Sequence, residues 1–536
     1  MYRKISTKGR SNEKRAFFAG VFWLTASGLL VKIAGLCFKI PMNYIVGDTG
    51  MGYYGSAYSV YTFLYMLSTS GLPVAMSVMI SEERSRGEVR AARQTFRVAM
   101  SLFVVLGAVT ASAMLLFSHG FASAIRSDDS ASAIAVTAPT MLFICVSCAV
   151  RGYFQGCGNM VPTAVSQLIE AVGKLAIGVF AAIYATRAGL PAYAVAAYAA
   201  SGLTVGTFFG MIYLITVKLL RGERDIDLPC ECKNEYVPKK RETVLTLIKK
   251  SLPITVSASV MSLSGIMDTV LIQRVLRSSG MSAENAASVY GNYTSLAVPM
   301  FNLPPVFVYP VAYSLVPAVS ALFARKHYKK AAERIESALK YATVVGLPCA
   351  LGMSAMAEPV LMMIYREESA HIAAPLLTCL APSSFFVCIL AVTNSVLEAC
   401  GHEKSPVISM LAGAAVKCVS GVFLLKRYGI MGAPLSTLAC YLTVTAINFA
   451  FTVKYTKIRL SFYNVAVPLC ASLLSSVSAV WIYRTLCGMT PQRIACLIGV
   501  CAAALIYAIV LLLTGCVKIN EITEIINRKG KIKNET

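Results

Sequence analysis

IACLIGVCAAALIYAIVLLLTGC, residues 494–516, runs for 23 positions without an Asp, Glu, Lys or Arg. A hydrocarbon core roughly 30 Å thick is crossed by about 20 apolar residues in a helix, so this run reads as a membrane span. The same reading extends to about fourteen runs, near 16–46, 53–81, 94–118, 132–155, 161–185, 191–217, 251–276, 287–323, 341–364, 371–398, 406–425, 430–453, 462–483 and 494–516. Composition agrees, with 57% hydrophobic against 14% charged residues and a mean hydropathy of +0.65. Inside lipid every backbone N–H and C=O must be satisfied by the protein itself, which leaves helices or a closed barrel. Barrel strands alternate apolar and polar residues over short stretches, and the continuous runs here exclude them. The fold class is therefore an all-α polytopic membrane protein. Its first run follows Arg3, Lys4, Lys8, Arg10, Lys14 and Arg15, as in a signal peptide, but is too long and shows no cleavage pattern. It is expected to be an uncleaved first helix.

Charge sets the expected orientation. With the N-terminus inside and hinges alternating, 35 Lys and Arg fall on the inner side and 8 on the outer. That asymmetry puts both termini and the 218–250 hinge in the cytoplasm. The net charge of +23 is then mostly topology and attraction to anionic inner-leaflet lipid, with no call for a nucleic-acid partner. Most of the 17 Cys sit within the apolar runs and behave as small hydrophobes. Cys230 and Cys232 have no His nearby, and His119, His327, His371 and His402 show no ligand spacing, so neither a metal nor a redox role is assigned. Gly50-x-Gly52-x-x-Gly55 matches the dinucleotide fingerprint but lacks the strand and βαβ unit that fingerprint needs; a tight turn between helices is expected instead. No P-loop, HExxH or nucleophile elbow occurs, so neither an enzyme nor a cofactor is expected.

The chain also repeats itself. Ala91-Ala92 recurs as Ala331-Ala332 and Val104-Val105 as Val344-Val345 at one offset of 240, Tyr54-Gly55 recurs as Tyr290-Gly291, and GNMVP (158–162) is similar to GHEKSP (401–406). A duplication follows. It divides the chain into a six-span N-lobe (1–217), a cytoplasmic linker (218–250), a six-span C-lobe (251–460), a final pair of spans (461–516) and a cytoplasmic tail (517–536). An even span count preserves orientation, so the lobes are expected to be parallel repeats. The 37 residues of 287–323 carry Pro299, Pro304, Pro305, Pro310 and Pro317. Either a broken helix lining a cavity or a long kinked helix fits them.

With Arg151, near the end of 132–155, counted among the inner-hinge charges, six basic residues remain inside the spans: Lys32, Lys39, Arg97, Lys174, Arg274 and Lys417. An unrelieved Lys at mid-bilayer costs roughly 2.5–3.5 kcal/mol on insertion scales, so each needs water or a partner. Lys32 and Lys39 are two helical turns apart and share a face; Lys32 lines a wet cavity or is buried with a partner, and Lys39 does the same or snorkels to the interface. Glu170 and Lys174 stand in the favourable i,i+4 order, as a structural pair or part of an ion-linked site. Lys417 corresponds to Lys174 by the repeat but has Gly413 where the acid would be, which makes it a cation candidate. Asp268 is a candidate coupling or gating residue. Arg274 is a binding candidate whose place near the span end also suits snorkelling.

LVKIAGLCFKI (30–40), VGDTGMGYYG (46–55), STSGLPVAMSVMISE (68–82) and RGYFQGCGNMVPTAVSQLIEAVGK (151–174) resemble the multidrug/oligosaccharidyl-lipid/polysaccharide flippase superfamily. Within it, the chain is similar to the bacterial branch holding stage V sporulation protein B and the MurJ-type lipid II flippases. That branch carries a basic-x-x-Gly-x-x-x-basic pattern, usually with Arg at both ends; here it is Lys32, Gly35 and Lys39, and Lys lacks the bidentate fork of Arg. The resemblance implies two six-helix lobes around a central cavity, with the last two helices beside a lipid-accessible groove. It further implies a flippase of the bacterial plasma membrane that moves an undecaprenyl-pyrophosphate-linked saccharide, with the saccharide lipid, membrane lipids and envelope-synthesis enzymes as partners. The alternatives are a cation antiporter of the same superfamily, which would set acids rather than Lys in the cavity, and a non-transporting scaffold. Membrane potential or an ion not legible in the sequence would drive transport.

Overall fold

The computed structural model describes residues 2–221, 237–402, 404–458 and 462–516. Most of the expected linker, with Cys230 and Cys232, and the tail at 517–536 lie outside the described residues. Every regular element among the described residues is helical. The chain divides into two units, Met1–Ser295 and Leu296–Thr536.

The first unit holds α1 (Tyr2–Thr69), α2 (Leu72–Ser85), α3 (Val89–Leu116), α4 (Ser118–Ala124), α5 (Ala131–Gly156), α6 (Val161–Arg187), α7 (Ala192–Arg221), α8 (Lys240–Ser278) and α9 (Ala283–Asn292). Within α1 the helix is interrupted at Gly47, at φ 73° and ψ 173°, a conformation that costs a residue with a Cβ but not glycine. This is the hinge between the first two expected spans. The core is built from α1, α5, α6 and α7 around Phe38, Met42, Tyr54, Tyr61 and Met141, filled in by alanines. Small residues are the usual means by which membrane helices approach closely.

The second unit holds α10 (Val298–Phe301), α11 (Leu303–Ala324), α12 (Tyr328–Ala355), α13 (Ala357–Ile364), α14 (Glu367–Ala399), α15 (Lys404–Tyr428), α16 (Gly432–Thr456), α17 (Tyr463–Leu486) and α18 (Gln492–Leu513). Large apolar side chains such as Val477, Trp481, Leu505 and Leu513 point outward, as a hydrocarbon solvent allows and water does not.

By length and composition, eleven stretches of the described residues can cross a membrane, against the fourteen expected. Two of the eleven, Leu30–Ser85 with 56 residues and Lys404–Thr456 with 53, are more than twice as long as one crossing needs. Each takes in two expected spans with the break between them, at Gly47 in the first and at Gly429–Met431 in the second. The 287–323 segment is broken, with a π turn over Tyr293–Ala297 between α9 and α10. Pro299 has no N–H to give the Ser295 carbonyl, and a π turn is one way for a helix to absorb such a defect.

One packing scheme occurs in both units. In the first, α3 packs on α5, α5 on α7 and α6 on α7; in the second, α12 packs on α14, α14 on α16 and α15 on α16. A Cβ at Gly107 would lie 2.9 Å from the Cβ of Cys145, and one at Gly346 would lie 3.2 Å from that of Cys388. Gly158, just beyond α5, and Gly401, just beyond α14, take φ of 79° and 77°, the left-handed cap that ends many helices. Cys145 with Cys388 and Gly158 with Gly401 share an offset of 243. Helices α17 and α18 fall outside this scheme: α17 packs on α12, and α18 on α13 and α17.

The Gly50–Gly55 motif is not the expected turn. It lies within α1, and a Cβ at Gly52 would stand 1.9 Å from the carbonyl oxygen of Ala287 in α9. Gly52 and Gly55 flatten one face of α1 so that α9 and the turn after it can lie against it, Gly50 faces Ala192 at the start of α7, and the turn itself is at Gly47.

Candidate functional site

The site is built on α1, α5, α6 and α9 of the first unit. On α7, Gly202, Gly206 and Gly210 recur every fourth residue and present a bare stripe to α6; a Cβ at Gly206 would come within 2.7 Å of both the Glu170 carbonyl oxygen and the Lys174 nitrogen. This approach fixes the turn of α6 that carries both charges.

The two charges do not pair with each other. Glu170 is held by Arg151 of α5, with Nη2 of the guanidinium 2.7 Å from Oε1, while Arg151 Nε donates to Ser166 Oγ at 3.0 Å. Arg151 is thus a buried helix residue at 6% exposure, not the inner-hinge charge the sequence reading makes it. An Arg can reach the acid from a neighbouring helix with a planar fork, which a Lys one turn away on the same helix cannot supply.

Lys174 instead sits among aromatic faces. Its Nζ is 4.8 Å from the ring centre of Tyr58, 4.9 Å from Phe38 and 5.8 Å from Tyr54. Each ring offers the negative face of its quadrupole to the ammonium. The tyrosines continue along α1: Tyr54 on Tyr58, Tyr58 on Tyr61 and Tyr61 on Tyr65, with centroids 5.8–6.0 Å apart.

Lys39 turns inward rather than snorkelling. Its Nζ donates to the Thr294 carbonyl in the π turn at 2.8 Å, and it is near enough to Lys174 for the two charges to repel. The Asp48 carboxylate accepts from Asn43 Nδ2 at 2.8 Å and Asn292 Nδ2 at 3.1 Å, tying α1 to α9. Among the described residues, no ion pair involves Lys39 or Lys174.

The other expected residues lie apart from this cluster in kind. Lys32 is exposed on α1 and has an interaction of its own. Asp268 is half-buried and engaged, and Arg274 exposed, at different faces of α8. Lys417 is half-buried and engaged on α15 of the second unit, where Gly413 packs against Val444 and Cys440. Sequence reasoning missed Arg151, Asp48 and Asn292. The helical spacing of Tyr54, Tyr58, Tyr61 and Tyr65 was a signal it could have used.

Helices packed through small residues, with the Glu170 charge satisfied across helices rather than along one, define the core of a polytopic membrane protein. The chain belongs to the polysaccharide biosynthesis protein family, whose model matches residues 17–323, within the multidrug/oligosaccharidyl-lipid/polysaccharide superfamily; residues 253–423 also match the MatE model. Among curated proteins it is 24% identical over 520 residues to stage V sporulation protein B of Bacillus subtilis, covering 96% of this chain and 98% of that one. It is 29% identical over 435 residues to the uncharacterized membrane protein YabM of the same organism, covering 80% and 78%. Over 445 residues it is 23% identical to lipid II flippase MurJ of that organism, covering 80% and 81%. The fold matches lipid II flippase MurJ in an inward closed conformation with a TM-score of 0.70 at 14% identity, covering 91% of this chain and 97% of that one. It also matches an inward-facing multidrug resistance MATE transporter with a TM-score of 0.63 at 15% identity, covering 79% and 98%. The chain is accordingly a multi-pass membrane transporter and not an enzyme.

Proposed function

We propose that the protein is a flippase that carries an undecaprenyl-pyrophosphate-linked saccharide from the inner to the outer leaflet of the bacterial plasma membrane. The observation that carries this reading is the pair Lys39 and Lys174: two lysines turned into one helical core, with no ion pair to either among the described residues. Like charges in a low-dielectric setting repel strongly, and a pyrophosphate placed between them turns that cost into attraction. The rings of Phe38, Tyr54 and Tyr58 add flat apolar faces of the kind that sugars stack on. The likeness to lipid II flippase MurJ supports the same substrate class.

In this reading Lys32, Arg274 and Lys417 lend further positive charge to the head group, while Glu170 and Asp268 serve coupling or gating. Residues 1–217 and 251–460 act as two parallel lobes that rock about the substrate, with 461–516 alongside and the 218–250 linker, the 517–536 tail and the N-terminus in the cytoplasm. Membrane potential is a sufficient drive, since one charge across 100 mV is worth roughly 2.3 kcal/mol. The MatE match favours a second reading, antiport of a cationic metabolite, and cargo charge separates the two.

The test is leaflet-resolved labelling of the lipid-linked precursor in cells expressing Lys39→Gln, Lys174→Gln or both. Outward labelling should fall in each single variant and vanish in the double, with protein abundance unchanged by immunoblot. Normal outward labelling in the double variant overturns the cationic site.

A further inference from the structure

The second unit carries a cavity of about 360 Å³ that has no part in the reading above. Its walls come from the α12–α13 junction (Met356, Glu358), the first turns of α14 (His371, Thr378) and the last turns of α17 (Tyr483, Arg484). Ser354 Oγ donates to the Thr378 carbonyl at 2.9 Å and Thr378 Oγ1 to the Ser354 carbonyl at 3.2 Å, so the α12 and α14 walls are stapled together.

Its depth in the bilayer follows from α17. At about 1.5 Å per residue, 24 residues span about 36 Å, a little more than the hydrocarbon core, so the two ends of α17 lie at the two interfaces. The cavity is at the C-terminal end. Trp481, 69% exposed and one turn before the helix ends, is the residue type that anchors helices at head-group level.

The polar groups are of both signs. Among the described residues the Arg484 guanidinium makes no hydrogen bond or ion pair. The Glu358 carboxylate stands 2.7 Å from His371 Nδ1, and Glu367 stands 3.8 Å from His371 Nε2. Arg366 at the start of α14 is the other charged neighbour. Pro375, inside α14, has no N–H to offer the His371 carbonyl, which leaves one further acceptor in this turn. Met356, Ala374 and Val480 make the remaining wall apolar. A purely anionic head group would face the Glu358 carboxylate here, and a purely cationic one would face Arg484. A zwitterion meets both: guanidinium forks suit phosphate, and carboxylate and carbonyl suit an ammonium. We infer that this cavity binds the phosphoethanolamine head group of a phospholipid from the leaflet at that end of α17.

Full-length protein is reconstituted in nanodiscs of equal parts phosphatidylethanolamine and phosphatidylglycerol, and the lipids retained on release are counted by native mass spectrometry. The wild type should retain phosphatidylethanolamine preferentially. Glu358→Gln should reduce the ethanolamine-to-glycerol ratio about tenfold, the loss of one charge-assisted contact, and Arg484→Gln should lower retention of both lipids. Val480→Phe, which fills the cavity and leaves every charge in place, should also strip the bound lipid and serves if Glu358→Gln does not fold. Excess soluble glycerophosphoethanolamine should fail to displace the lipid; displacement at matched concentration would overturn the bilayer source. A lipid ratio equal in the wild type, Glu358→Gln and Val480→Phe would overturn the site.

Discussion

Replacing Arg151 by Met removes the guanidinium from both Glu170, 2.7 Å away, and Ser166, 3.0 Å away. The side chains of the ion pair are only 8% and 18% exposed, so water does not readily take the vacated place. Stranding one member of a buried pair costs about 3–5 kcal/mol, which at about 1.4 kcal/mol per decade is two to three or more powers of ten in the folding equilibrium. Glu170→Met strands the guanidinium in turn and should cost about as much, whereas Glu170→Gln should cost less, about 1–2 kcal/mol, because its amide oxygen still accepts from Arg151. The double variant Arg151→Met/Glu170→Met should recover most of the loss, since replacing both members by apolar groups of similar volume is often neutral or stabilising. Lys174→Gln is the control: its ammonium rests on aromatic rings, and its removal should leave the Arg151–Glu170 coupling intact. The assay is denaturant titration of the purified protein in lipid nanodiscs, carried around the double-mutant cycle. If the single losses simply add in the double variant, to within about 0.5 kcal/mol, the two side chains are not coupled and the assignment of Glu170 to Arg151 is refuted.

Two further outcomes are expected. Gly52→Val places a Cβ 1.9 Å from a backbone oxygen of α9 that cannot rotate away, so stability should fall by about 3 kcal/mol; Gly35→Val, where a Cβ meets nothing within 4 Å, should leave the melting temperature unmoved, and equal effects would contradict the close packing. Reporter fusions after residues 230 and 536 should be active only in the cytoplasm, as the 35-to-8 charge asymmetry requires; surface activity at either site would overturn that orientation.

Much of the architecture was legible because the bilayer enforces it. Long uncharged runs can only be helices there, and the duplicated Ala-Ala and Val-Val pairs mark α3 and α12, which pack alike in their two units. Helix breaks were legible in part: the Gly47 break falls in the 47–52 gap between the first two expected spans, but proline spacing alone left the 287–323 segment open between a kink and a break. The site was half visible. Cost arguments singled out Lys39 and Lys174, since a cation in an apolar run needs an explanation wherever the helix lies. Partners were not visible, because sequence spacing reports neighbours along one helix. Glu170 was matched to Lys174 for want of knowing that α5 brings Arg151 beside it. A position five residues from a helix end, such as Arg151, cannot be told from hinge by composition alone.

At the shared offset of 243, the position of Arg151 is occupied in the second unit by Asn394, that of Ser166 by Ser409 and that of Glu170 by Gly413. There Asn448, from α16, bridges the two, donating to Asn394 and accepting from Ser409. One packing scheme thus occurs twice, once wired with full charges and once with neutral amides. The second copy is a natural control for the first: it holds the same helices together without a guanidinium or a carboxylate at those positions. The same helix packing is thus compatible with either kind of polar network, an ion pair in one unit and neutral amides in the other.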